Sequence, residues 1–203
     1  MPEKRNFAPE ADRPAAADFD QIYDQHKDDI FGFAYHLTGD RAEAEDLFQE
    51  VWLRVAGHLS ECPGPAALKP WLLTIAVNLH RDALRKKRVR RLFFLSKARE
   101  RTGQASAGAE EVDPSDPAAK AEEATLNRQI GRAVSALPDR QRRVFLLKEV
   151  EGLKQAEIAG VLGVPVGTVK SLMHRAVRRL QKDLADCRPG LEKVKCAVKM
   201  LSV

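Results

Sequence analysis

Apolar residues recur every three or four positions along most of the chain, and no stretch alternates with a period of two. The pattern predicts helices without strands, an all-α protein. Phe19, Ile22 and Tyr23 open one stripe that Ile30, Phe31, Phe33, Ala34 and Leu37 continue, until Thr38-Gly39-Asp40 supplies a stop and a new start. Glu43 stands three residues after Asp40, the spacing of a capping box, and puts acidic charge at the positive end of the next helix. That helix is expected over residues 41 to about 55, with Leu47, Phe48, Val51, Trp52 and Val55 inward. Glu45, Asp46, Gln49 and Glu50 then line its outer side. Residues 58–69, with Pro63, Gly64 and Pro65, read as a loop, and Pro70 suits the first turn of a third helix. In that helix Trp71, Ile75 and Leu79 share one face while Arg81, Arg85 and Arg88 recur on another.

The periodicity dissolves over residues 96–124, which are small, acidic and proline-containing, the composition of a linker. It returns with Leu126, Ile130, Val134 and Leu137, after which Pro138-Asp139 opens a helix holding Val144, Phe145 and Leu147. Residues 153–180 read as two short helices around the turn Gly163-Val164-Pro165, where a glycine can take positive φ and a proline starts a new helix. In the second of them Val169, Met173, Ala176 and Leu180 form the apolar face. Lys170, Ser171, His174, Arg175 and Arg178 fall on another, which suits a helix entering a major groove. The organisation is therefore a tail (1–17, expected to be disordered), a first helical domain (18–95), an acidic flexible linker (96–124), a second domain (125–184) and an extension (185–203).

With 203 residues, 44% hydrophobic, the chain can bury one or two small cores. Its formal charge of +5 is modest but unevenly placed. The first fifty residues and residues 110–123 are acidic, whereas residues 81–101 and the part from Leu126 onward are basic, a layout that suits contact with both a nucleic acid and a charged protein. Taken alone, the acidic face of the second helix equally describes a solvated surface, and the basic end of the third a helix terminus favoured by its dipole. Cys62, Cys187 and Cys196 form neither a close-spaced metal motif nor an even disulfide set, so reduced thiols are expected. No catalytic arrangement, metal set or phosphate-cradling glycine loop stands out, and no cofactor is implied. Neither a signal peptide nor a membrane span is visible, which predicts a cytoplasmic protein with no membrane insertion.

The run AEDLFQEVWLRV, then PWLLTIAVNLHRDALRKKR, an acidic linker, and ALPDRQRRVFLLKEVEGLKQAEIAGVLGVPVGTVKSLMHRAVRRL resembles the extracytoplasmic-function (ECF) group of bacterial sigma factors, group IV of the sigma-70 family. The resemblance covers residues 18 to about 184. It implies a non-enzymatic specificity subunit that directs promoter-specific initiation by core RNA polymerase. Glu45, Asp46, Gln49 and Glu50 would belong to region 2.2, which binds the β′ clamp helices. Asn78 would read a base of the single-stranded −10 element, with Arg81, Arg85, Lys86 and Lys87 on its phosphates. Lys170, Ser171, His174, Arg175 and Arg178 would meet the −35 element from region 4, which also faces the β flap. The resemblance further implies control by an anti-sigma factor. This chain departs from the family at Leu172, where arginine is frequent, so its −35 sequence is not transferable. A stand-alone helix-turn-helix regulator is the alternative, and Cys187 and Cys196 with the extension are without an assigned role.

Overall fold

In the computed structural model, residues 19–98 and 129–184 are described, and all their regular structure is helical. The order is α1 (Phe19–Thr38), α2 (Arg41–Ala56), a 3-10 turn (Leu59–Glu61), α3 (Pro65–Ala98), α4 (residues 129–135), α5 (Asp139–Glu149), α6 (Gln155–Leu162) and α7 (Val166–Asp183). The expected tail, most of the linker, and the extension with Cys187 and Cys196 lie outside the described residues.

The α1–α2 corner follows from three consecutive residues. The Thr38 hydroxyl donates back to the Ala34 carbonyl at 2.9 Å, Gly39 takes φ +75°, and the Asp40 carboxylate accepts from the Glu43 N–H at 2.9 Å. A side-chain cap of this kind is worth about 1 kcal/mol. The two helices then close on each other through Ile30, Phe33, Leu37, Val51 and Val55, all fully buried. An aromatic cluster completes the contact: Trp52 lies edge-on to Tyr23 at 4.8 Å and to Phe19 at 5.9 Å, and Phe48 is edge-on to Phe31 at 5.6 Å. Edge-to-face pairs add to what area burial supplies.

The third helix differs from expectation in two respects. It begins at Pro65 rather than Pro70, and part of the expected loop is the 3-10 turn. Pro65 occupies the first turn, where its missing N–H costs nothing, and Ala66, Ala67 and Leu68 are good helix formers. Pro70 sits inside the helix and forgoes one bond; the Thr74 hydroxyl donates to its carbonyl at 2.7 Å. The face against the core is also rotated from the expected one. Leu72, Leu73 and Ala76 are fully buried with Val77 beside them, whereas Trp71, Ile75 and Leu79 are only half-buried flanks. The reason is that α3 packs against α1 and α2 on one side and α6 on another, so apolar residues occur nearly all round it and no single stripe marks the core.

Across the linker, α4 to α7 form a second bundle around Ile130, Leu137, Leu146, Leu147, Ile158, Val169 and Leu180. After α5 the chain turns at Gly152, φ +70°, and the Glu157 carboxylate accepts from the Lys154 N–H at 2.6 Å as α6 begins. Gly163, φ +63°, ends α6, with the Val164 N–H donating to the Ala159 carbonyl at 3.1 Å. Pro165 then launches α7 at 102° to α6, the angle of a helix-turn-helix. The buried residues of the two bundles form one continuous apolar cluster, with α6 packed on α3 and α5 beside α1.

Candidate nucleic-acid interface

Helix α7 is pinned to the second bundle by Val169, Ala176 and Leu180, which are 2% exposed or less; Met173, expected with them, is half-buried. That anchoring leaves Lys170, Ser171, His174, Arg175 and Arg178 all exposed along the opposite side. Ser171 already spends its hydroxyl proton on the Thr168 carbonyl, at 2.9 Å, so its free lone pairs are what it offers outward. Leu172 is half-buried against the core. The result is a rigid rod presenting cations and hydrogen-bonding groups, with its N-terminal end free at an angle to its support. Such a rod fits a major groove, where these groups reach phosphates and base edges.

On α3 the exposed groups begin where the core ends. Asn78 is half-buried, and its amide makes no hydrogen bond among the described residues. Arg81, Arg85, Lys86 and Lys87 are exposed on the turns that follow, and Arg88, Arg90 and Arg91 extend the run. Lys87, expected to hold a phosphate, is paired in the free chain: its ammonium meets the Glu43 carboxylate of α2 at 2.5 Å. That pair is about half exposed on both sides, so a phosphate can displace the carboxylate at little cost. On α2, Glu45, Asp46, Gln49 and Glu50 are all exposed; Glu45 pairs with Arg41 at 3.0 Å, while the other three make no hydrogen bond or ion pair among the described residues. Leu53, 70% exposed, continues this face one turn on. A charged face with an apolar residue at its edge is suited to a protein partner.

Two polar contacts between the bundles, and one close approach, escaped the pattern of the sequence. The Lys69 ammonium of α3 bonds Asp29 of α1 at 2.8 Å and Glu151, after α5, at 3.0 Å, and the Glu151 side chain is only 3% exposed. Burial pushes the Glu151 carboxyl up against the opposing pull of Lys69, and raises the Cys62 thiol as well. The Arg142 guanidinium donates to the Leu37 carbonyl at 2.9 Å and to the Ser135 carbonyl at 2.6 Å, joining the last turn of α1 to that of α4. Cations at helix C-termini oppose the negative dipole end. Finally, His80 of α3 is buried with Nδ1 4.0 Å from an Asp139 oxygen of α5, and Asp139 also pairs with Arg143. Burial lowers His80 to about 4, with Arg143 and Arg142 adding to the effect and Asp139 and Glu43 opposing it. His26, buried near Asp29 and Lys69, is lowered for the same first reason.

Among the described residues no group of three or more His, Cys, Asp and Glu side chains is placed to hold a metal ion, and no single helix is long and apolar enough to cross a membrane.

Comparison with known proteins supplies the context for these faces. Residues 22–90 match the family described as sigma-70 region 2, and residues 127–180 the family described as sigma-70, region 4. The chain is 34% identical over 170 residues to the ECF RNA polymerase sigma factor SigW of Bacillus subtilis, a match covering 83% of this chain and 89% of SigW. It is 30% identical over 179 residues to the ECF RNA polymerase sigma factor SigE of Mycolicibacterium smegmatis, covering 88% of this chain and 66% of that one. Among solved structures, the sigma factor RpoE of Bartonella quintana, in complex with the anti-sigma factor NepR, matches with a TM-score of 0.60 at 23% identity, over 84% of this chain and 98% of that chain. At that identity the match speaks for the fold.

Proposed function

The chain belongs to the ECF family of RNA polymerase sigma factors, and from that premise we propose how its faces divide the work of directing core polymerase to promoters. The first unit, residues 18–95, carries Glu45, Asp46, Gln49 and Glu50 toward the β′ clamp helices. In the same unit Asn78 takes an edge of an unstacked −10 base, while Arg81, Arg85, Lys86 and Lys87 hold the strand by its phosphates. Residues 125–184 form the second unit, tied to the first through residues 96–124. Its α7 lays Lys170, Ser171, His174 and Arg175 into the −35 major groove, with Arg178 on the backbone, and the unit abuts the β flap. The polymerase performs the chemistry, and the protein acts in the cytoplasm. An anti-sigma factor holds it inactive until its signal arrives.

The observation that carries this reading is the paired exposure of two unlike faces on one chain: the acidic side of α2 and the basic side of α7, each turned outward by a buried apolar stripe. A stand-alone helix-turn-helix regulator would have no use for the first, and the match to both sigma regions favours the sigma reading. Purified protein added to core polymerase and a promoter library is the test. Binding to core and a defined set of start sites are expected; duplex binding that is indifferent to polymerase would overturn the reading.

A further inference from the structure

Of the seven cations that α3 exposes between Arg81 and Arg91, Lys87 is the only one with a carboxylate partner among the described residues. Its ammonium lies 2.5 Å from a Glu43 oxygen of α2. That partner is fixed from its own side. Asp40 accepts from the Glu43 N–H at 2.9 Å, which sets the first turn of α2. A carboxylate in that turn is favoured by the positive end of the helix dipole whether or not a lysine stands beside it. Glu43 also faces His80, two turns before Lys87 on the same side of α3. The first turn of α2 therefore puts one anchored anion against the side of α3 that ends in Lys87.

Breaking the pair costs little, since both side chains are about half exposed. The carboxylate, however, stays when a phosphate takes Lys87, because its backbone is capped and its charge is held by the dipole. Glu43 is then an unpaired anion within a few ångströms of a second one. Two like charges that close oppose each other by an amount comparable with the attraction that Lys87 offers, so most of the lysine's contribution is cancelled.

We propose that Glu43 is a built-in competitor of the −10 strand: it occupies Lys87 in the free chain as a phosphate would, and it sets the backbone grip of α3 below what its cations alone allow. The proposal rests on the reading that places Lys87 at the −10 phosphates. A phosphate carries no sequence, so the penalty falls on every single strand alike, and a strand whose base Asn78 accepts regains by that contact what the backbone withholds. Glu43 thereby keeps arbitrary single strands off α3 at concentrations where a promoter strand is held.

Glu43→Gln tests this, because it removes the charge and keeps both the length of the side chain and the backbone N–H that Asp40 caps. The full chain with core polymerase is titrated with a fluorescent single strand carrying the non-template −10 sequence of a promoter it opens, and separately with oligothymidylate, at about pH 8, where His80 is neutral. Glu43→Gln is expected to tighten both by about fivefold. Its salt dependence is expected to steepen by up to about 0.7 in the log–log slope, the value for one phosphate contact on a single strand, since no bared carboxylate recaptures a cation that the phosphate releases. Lys87→Met is expected to weaken binding about twofold in the unaltered chain and about tenfold in Glu43→Gln, so that Glu43→Gln gains nothing once Lys87 is gone. A gain in binding is also an outcome that damage to the fold does not give.

Unchanged affinity and slope in Glu43→Gln would overturn the proposal. So would a fivefold gain that persists in Lys87→Met, which would make Glu43 a diffuse repulsive charge rather than the partner of Lys87. A gain confined to the promoter strand would put Glu43 at a base and overturn it as well. If Lys87→Met changes nothing in either background, the −10 reading loses Lys87 and the restraint falls with it; if Lys87→Met weakens binding while Glu43→Gln is silent, the restraint alone fails.

Discussion

His80 is the residue whose chemistry reaches furthest beyond its place in the sequence. It looks like one more polar residue on the basic side of α3, yet it lies buried between Asp139, Arg142 and Arg143 of α5 and Glu43 of α2. Above pH 6.5 its imidazole is neutral in folded and unfolded chains alike. Between pH 6.5 and about 4 only the unfolded chain readily takes the proton, so stability falls as pH falls, by an amount on the order of 2 kcal/mol. His26 acts with the same sign. Glu151 acts with the opposite one: its raised carboxyl keeps a proton that the unfolded chain gives up above about pH 4.5, so its contribution declines as pH rises. Thermal melts of His80→Asn against the unaltered chain separate them. The variant's Tm should fall less steeply between pH 6.5 and 4.5, and parallel profiles would contradict the assignment. At the helix corner, Asp40→Ala removes the cap on the Glu43 N–H and is expected to cost about 1 kcal/mol by urea denaturation, with the exposed basic side of α7 unaffected.

Among the helices, α1, α2, α5, α6 and α7 could be read from sequence because each has one apolar stripe and punctuated ends, such as Asp40 before α2 and Gly163-Val164-Pro165 between α6 and α7. Helix α3 could not be read as well. Its LLTIAVNL run is apolar on several sides, so Trp71, Ile75 and Leu79 were as plausible a core stripe as Leu72, Leu73, Ala76 and Val77, and only packing against α1, α2 and α6 decides. The candidate faces on α2 and α7 were legible as the complements of those stripes. Lys69, Arg142 and Glu151 were not, since a charge that finds its partner across a tertiary contact looks in sequence like any surface charge. For α7, Arg175→Ala is expected to weaken binding to duplex −35 DNA about tenfold without moving Tm, because the side chain is exposed. Arg178→Ala should instead lower the salt slope by about one while leaving discrimination between sequences intact, as measured by titrations over a salt series. On α2, Glu50→Lys is expected to abolish binding to core polymerase and spare binding to the duplex.

At the scale of the whole molecule, one chain carries three outward faces on two bundles that a short apolar and ionic seam brings together. Its alternating charge is laid out on those faces, acidic on α2 and basic on the end of α3 and on α7. The seam packs α6 on α3 and α5 beside α1. Both bundles are expected to engage one promoter in the same complex, one opening DNA and the other holding duplex. Permanganate reactivity combined with footprinting on the complex of this chain, core polymerase and promoter DNA measures both at once. Reactive thymines at −10 together with protection at −35 are expected, each lost when the corresponding face is altered at Asn78 or Arg175. Protection at −35 with a −10 region that stays double-stranded in the presence of polymerase would contradict it.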